Sequence, residues 1–316
     1  MGYILLIVGF VLLIKGADLF VDGSSNIARS FQVSPLLIGL TIVALGTSSP
    51  EATVSIIAAL EENAGVALGN VVGSNILNIT LVAGVAAIIY PLKVESETIR
   101  KEIPFTLLAS FALLILISDV FLQTVSENLL TRGDGFIIML FFAIFLYYIF
   151  EVARNSRDKV KSETKVKSTW GKNVLYTIGG LVGIIFGGEL VVKNATNIAS
   201  SFGMSDTLIG LTVVAIGTSL PELITSITAA LKKESEIALG NIVGSNIFNI
   251  LFVLGITAVI HPLTVNSKII VDIIIMIILT GTLLIFSRTN YKIGKFEGAF
   301  LVVVYIIYMI FIILRN

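Results

Sequence analysis

The sequence contains no cysteine, a single histidine and, among its 316 residues, only 13% charged side chains. Without cysteine there can be no disulfide, no thiolate metal site and no cysteine nucleophile. The one histidine, His261 beside Pro262, cannot supply a His-Glu-x-x-His zinc site. It falls at the end of an apolar stretch, opposite Tyr90 in the internal repeat described below, and reads as a structural residue. No nucleophile–base pair and no glycine-rich phosphate loop is present, which excludes a protease and a nucleotide-driven pump; the chain reads as no enzyme, without a cofactor or a nucleotide partner. Formal net charge is zero, giving no sign of a nucleic-acid partner. Soluble domains ordinarily carry about 25% charged residues. Here 56% are hydrophobic and the mean hydropathy is +0.99, so the solvent of this chain is the lipid bilayer.

Apolar stretches of about 20 residues mark helices that cross a bilayer. Ten are predicted, at 2–24, 35–60, 66–90, 103–122, 134–153, 173–196, 206–231, 237–260, 268–287 and 296–314. The first, Gly2 to Ile14 onward, lacks the basic leading region of a signal peptide and recurs at the start of the second half, so it is read as a retained span. One long polar segment, rich in cations from Arg154 to Lys172, separates residues 1–153 from residues 173–316 as a linker at 154–172. Lysine and arginine concentrate on the cytoplasmic side of membrane proteins. With the N-terminus outside, the inner loops hold Arg29, Lys93, Arg100, Lys101, the linker cations, Lys232, Lys233, Arg288, Lys292 and Lys295; the outer side keeps Arg132, Lys268 and Arg315. The expectation is a cell-membrane protein with both termini outside.

The two halves repeat. Ala44-Leu45-Gly46-Thr47-Ser48-Ser49-Pro50-Glu51 returns as Ala215-Ile216-Gly217-Thr218-Ser219-Leu220-Pro221-Glu222, an offset of 171 that holds without a gap from about Gly16/Gly187 to Ser96/Ser267. Five spans per copy is an odd number, so the second copy lies inverted. The predicted class is all-α: a polytopic membrane protein of ten transmembrane helices, built as two inverted five-helix repeats with broken helices at the midplane, the geometry of alternating access. Pro50 and Pro221 have no amide hydrogen, which frees the carbonyls of Gly46 and Gly217. In lipid such carbonyls must be satisfied by protein or line a cavity. Beside them stand the hydroxyls of Thr47, Ser48, Thr218 and Ser219 and the carboxylates of Glu51 and Glu222. An acid within a span is costly and marks function. Every group offered is oxygen, the ligand of hard cations such as calcium, magnesium and sodium; a softer metal would recruit cysteine or histidine. A plain proline kink explains one copy but not an acid at both matched positions.

A second motif follows each break: Gly69-Asn70-Val71-Val72-Gly73-Ser74-Asn75-Ile76-Leu77-Asn78, and Gly240-Asn241-Ile242-Val243-Gly244-Ser245-Asn246-Ile247-Phe248-Asn249. A spacing of four puts Asn70, Ser74 and Asn78 on one helical face, and Asn241, Ser245 and Asn249 on its mate. The glycines admit close helix contact. Ser74, Asn78, Ser245 and Asn249 are read as facing the glutamates. For Asn70, Asn75, Asn241 and Asn246 two readings stand, site residues or interhelical packing. The matched acids Asp18 and Glu189, near Lys15 and Lys193, are left outside the site as paired or snorkelling groups.

These two motifs, each present twice, resemble the alpha-repeats of the cation/calcium exchanger superfamily, most closely its sodium/calcium exchanger branch of prokaryotic type. The resemblance covers the core of both halves, and ten spans in an inverted repeat is that family's architecture. It implies ion ligands at the Ala44 carbonyl, Thr47, Ser48, Glu51, Ser74 and Asn78, and at the Ala215 carbonyl, Thr218, Ser219, Glu222, Ser245 and Asn249. It further implies transported calcium and sodium competing for shared carboxylates, electrogenic three-for-one exchange, and a functional monomer. Where potassium-dependent relatives carry an aspartate, this chain has Asn249, and its mate Asn78 is neutral too. Two carboxylates balance one divalent ion and argue against potassium dependence. A linker of about 20 residues has no room for the large calcium-sensing domains of animal relatives. The alternatives are a proton/calcium antiporter of the same superfamily, in which Glu51 and Glu222 exchange protons, and a passive cation channel. The many neutral oxygens favour sodium, which needs several ligands where a proton needs one; the inverted repeat disfavours a channel.

Overall fold

A computed structural model describes residues 2–31, 33–94, 101–123, 126–159, 170–202, 215–289 and 291–315. Backbone amides in hydrocarbon must be bonded within their own segment, and nearly every described residue is helical. Among the described residues seven helices are long and apolar enough to cross a membrane: Gly2–Phe31, Ala64–Ile89, Arg132–Arg154, Trp170–Ile198, Ser235–Ile260, Ser267–Arg288 and Lys295–Arg315. An eighth span is a bent pair, Pro35–Thr47 with Ser49–Leu60, turning by 46° at Ser48. Entry to several helices is capped by side chains placed for it: Ser34 accepts from the Leu37 amide at 3.3 Å, Asn63 from Val66 at 3.2 Å and Asn266 from Ile269 at 2.9 Å.

The remaining two expected spans are shorter. The stretch 103–122 is not one rod: helix Glu102–Leu116 stops, and a short helix Asp119–Gln123 follows. The stop falls where polar side chains compete for the backbone. Ser118 Oγ donates to the Leu114 carbonyl at 2.5 Å, Asp119 accepts from the Leu129 amide at 2.9 Å, and Asn128 accepts from Val120 at 2.8 Å. Of 206–231, helix Leu220–Leu231 and the turn Ala215–Thr218 are described, while 203–214 lie outside the described residues. The linker expectation at 154–172 also shifts. Helix Arg132–Lys159 runs through its first six residues and Trp170–Ser201 begins before 173, because a helix leaving the membrane continues into water until a residue opposes it.

The longest contact joins helix Gly2–Phe31 to Trp170–Ser201. Their glycines meet in reverse order: Gly9 against Gly187 and Val191, Gly16 against Gly180 and Ile184, Gly23 against Asn173 and Thr177. The first spans of the two halves therefore run antiparallel, as inversion requires. A β-carbon on Gly16 would lie 2.7 Å from the Ile184 nitrogen, and one on Gly180 2.5 Å from that of Phe20, so backbone touches backbone. The core motif uses the same device. A β-carbon on Gly240 would lie 2.6 Å from the Leu36 carbonyl oxygen, and one on Gly244 2.7 Å from the Leu40 α-carbon.

Each half also supplies an outer helix to the other half's core. Gly84 packs on Gly298 of the last helix, and its repeat mate Gly255 packs on Met139 of Arg132–Lys159. Four short strands, outside the all-α expectation, stitch the loops across the halves. Strand β1 (Leu92–Lys93) pairs antiparallel with β4 (Lys292–Ile293), and β2 (Asn128–Leu130) with β3 (Leu263–Val265). Loop backbone that leaves a helix still needs partners, and the opposite half supplies them.

Charges gather at the helix ends. Lys232 bridges Asp18 and Asp22, both at 2.7 Å, so Asp18 pairs with Lys232 of the other half rather than with Lys15. Arg29 meets Glu234 at 2.7 Å. Glu189 is exposed. His261 lies 4.0 Å from Glu62, at the molecular surface.

Candidate functional site

Glu51 and Glu222 each stand in the first turn of a helix that restarts after a break, Ser49–Leu60 and Leu220–Leu231. The break is one residue deep. Ser48 and Ser219 leave helical geometry (φ −82°, ψ 6°; φ −92°, ψ 8°), the proline follows two residues on, and the chain resumes with Ser48 and Ser219 carbonyls accepting from Ala52 and Leu223 at 3.1 Å. The positive end of the resumed helix dipole therefore points toward the broken segment.

The two breaks face each other and exchange hydrogen bonds. Ser48 Oγ donates to Glu222 Oε1 at 2.9 Å, and Ser219 Oγ donates to Glu51 Oε1 at 3.0 Å. Thr47 donates to Asn241 Oδ1 at 3.0 Å, and Thr218 to Asn70 Oδ1 at 3.4 Å. Asn70 Nδ2 donates to the Glu51 carbonyl at 3.1 Å and to Ser55 at 2.9 Å; Asn241 Nδ2 does so to the Glu222 carbonyl at 3.4 Å and to Ser226 at 3.0 Å. Each contact has its partner across the pseudo-twofold relation. Ser74 joins through Ser219 at 2.9 Å.

Both carboxylates have no solvent exposure, as do Ser48, Ser219, Ser245, Asn78 and Asn249. A buried polar atom is normally bonded. Here Oε2 of Glu51 and of Glu222, Ser245 Oγ, Asn249 Oδ1 and both amide atoms of Asn78 make no hydrogen bond within the protein. Two ionised carboxylates in a site without a basic partner among their hydrogen bonds are costly by many kcal/mol unless a cation meets them. The donor set that remains is oxygen, with a net charge matched to one divalent ion, and it fits a hard cation carried as cargo. Among the described residues no three His, Cys, Asp or Glu side chains gather.

The expected residues are thus mostly brought together: Thr47, Ser48, Glu51 and Ser74 with Thr218, Ser219 and Glu222. Asn78 and Asn249 each open a π-helical turn, Asn78–Val82 and Asn249–Val253, and a third such turn, Gly39–Val43, directly precedes Ala44. Turns of this kind recur at functional sites. The Ala44 carbonyl accepts from the Ser48 amide at 3.0 Å and from Thr47 Oγ1 at 3.4 Å, and Ala215 opens the matching turn. Asn70 and Asn241, left between two readings by the sequence, hold the backbone of the glutamates and the threonine of the opposite half. Ser55 and Ser226 were not singled out. They stand four residues after each glutamate in both copies, a repeated spacing that could have found them.

Comparison with known proteins agrees with this architecture. The family model described as sodium/calcium exchanger protein matches residues 1–151 and 172–314. The putative antiporter CaxA of Alkalimonas amylolytica is 41% identical, with 96% of both chains covered. The sodium/calcium exchanger MaX1 of Methanosarcina acetivorans is 32% identical over 98% of both. A solved structure of the sodium-calcium exchanger NCX_Mj soaked with 2.5 mM Na+ and 10 mM Sr2+ superposes with a TM-score of 0.84, at 34% identity and 97% coverage of both chains. The chain is a multi-pass membrane transporter and belongs to the sodium/calcium exchanger family.

Proposed function

We propose that this protein is a secondary active antiporter that exchanges sodium for calcium by alternating access around one central site. Glu51 and Glu222 supply the charge; Thr47, Ser48, Ser74, Asn78, Thr218, Ser219, Ser245, Asn249 and the carbonyls of Ala44 and Ala215 supply neutral oxygen. The observation that carries the reading is the reciprocal pair of serine–carboxylate bonds across the two halves, with a second oxygen of each carboxylate buried and unbonded. Calcium takes both carboxylates; sodium ions, entering from the other side, take the same oxygens and displace it. The repeats 1–153 and 173–316 supply the two related arrangements such a cycle needs. Both termini lie outside, and one chain provides the whole site.

The test is calcium uptake into proteoliposomes under an outward sodium gradient, with a proton gradient of equal size as the comparison. Uptake driven by sodium and lost in Glu51→Gln and Glu222→Gln supports the proposal. Uptake driven by protons alone reassigns the coupling ion. Uptake indifferent to both gradients refutes antiport.

A further inference from the structure

The twofold agreement of the site fails at Ser74, whose bond to Ser219 is not repeated by Ser245, and at a pair of asparagines. Asn78 and Asn249 are repeat mates, as are Asn75 and Asn246, and all four are buried. Asn249 Nδ2 donates to Asn75 Oδ1 at 3.1 Å, whereas neither amide atom of Asn78 is bonded. Asn75 is itself held. Its Nδ2 donates to the Asn246 carbonyl at 3.4 Å and lies 3.7 Å from the Met276 sulfur.

This chain of contacts has a direction. A backbone carbonyl only accepts, so Asn75 must turn its amide nitrogen to Asn246 and its oxygen to Asn249. Asn249 must then give its nitrogen to Asn75, and its oxygen points the other way, buried and unbonded. A cation is drawn to the oxygen of an amide and repelled by its NH2 group, so the orientation decides whether Asn249 helps or opposes binding. We propose that Asn75 is a positioning residue that locks the Asn249 amide with its oxygen toward the cargo cation, while Asn78 stays free to turn. The two halves therefore contribute unequal ligands, one preset and one adaptable. An aspartate at 249 would set two acceptors against each other and force Asn75 to turn over, losing its bond to the Asn246 carbonyl.

This inference rests on the exchanger reading and on Asn249 as a ligand, and the experiment separates the three. Sodium-driven calcium uptake is measured in proteoliposomes for the native protein, Asn75→Leu, Asn249→Ala and the double variant. Leucine keeps the branching of asparagine and replaces its polar ends with somewhat larger methyl groups; Asn75→Ala, which removes the same acceptor without apolar bulk, replaces it if the leucine variant does not fold. The expected result is a rise in the KM for calcium of about three- to tenfold in Asn75→Leu, the scale of one hydrogen bond, with the maximal rate within about twofold. The double variant should match Asn249→Ala, since Asn75 has nothing left to orient. An unchanged KM in Asn75→Leu, or effects of the two substitutions that multiply, overturns the positioning role. An unchanged KM in Asn249→Ala overturns it by removing the ligand, and native protein that moves no calcium refutes the exchanger reading itself.

Discussion

Glu222→Gln removes one charge from the site and almost no volume. With two carboxylates, bound calcium is neutralised; with one, the complex keeps a net positive charge in a place with no solvent exposure. Deleting one partner of a buried ion pair costs about 3–5 kcal/mol, and each 1.4 kcal/mol is tenfold, so calcium affinity should fall by at least about 150-fold. The calcium-free protein should respond in the opposite sense. Glu222 Oε2 has no partner, and replacing a buried unsatisfied carboxylate with a neutral amide lessens its desolvation cost. Thermal unfolding of the purified protein reads both effects. At a calcium concentration 100 times the native Kd, binding stabilises the native protein by about 2.7 kcal/mol. A 150-fold weaker site leaves about 0.3 kcal/mol by the same relation. Glu222→Gln should therefore unfold no earlier than native protein in chelator and lose nearly all of the calcium-dependent rise in Tm. Glu51→Gln should behave alike. A calcium-dependent shift that survives either substitution would show that the carboxylates do not hold the ion.

Four further outcomes are expected. Ser48→Ala and Ser219→Ala each remove a hydrogen bond to a carboxylate, worth about 1.5–3 kcal/mol; calcium titration should show both weakened, Ser219→Ala more so because Ser219 also bonds Ser74 at 2.9 Å. Gly179 and Gly180 are neighbours with opposite surroundings: a β-carbon on Gly179 meets nothing within 4 Å, and one on Gly180 comes within 2.5 Å of Phe20. Gly180→Ala should lower stability by about 1–3 kcal/mol and Gly179→Ala should not, as thermal unfolding will show. The absence of native cysteine makes Glu62→Cys and Lys233→Cys unique labels; an impermeant maleimide applied to intact cells should reach the first and not the second, and the reverse pattern would invert the proposed orientation. Lys232→Ala breaks two half-exposed ion pairs at once, and its stability loss, below about 1 kcal/mol per pair, should shrink in 1 M salt, where the screening length falls to about 3 Å, without vanishing, because Lys232 also donates to the Asp18 carbonyl at 2.8 Å.

Membrane residence, helical class, the internal repeat and most of the candidate site residues are legible in the order of amino acids. Hydrocarbon imposes its demands locally: a run of apolar residues must be helical, and a proline or an acid within it must have a reason. The 171-residue offset doubles each signal, so Glu51 and Glu222 could be picked out without knowing where either points. The interruption within 103–122 escapes the sequence pattern, because hydropathy does not register that Ser118 and Asp119 divert backbone bonds. Only the tertiary structure decided who meets whom. Ser48 reaches the glutamate of the other half rather than its own, Asp18 pairs with Lys232 across more than 200 positions, short strands join loops of opposite halves, and Asn75 rather than Asn246 takes hold of a site asparagine. These pairings depend on the packing of antiparallel helices through their glycines. Residue type and spacing state what a side chain can do, and the approach of distant backbones selects the partner with which it does it.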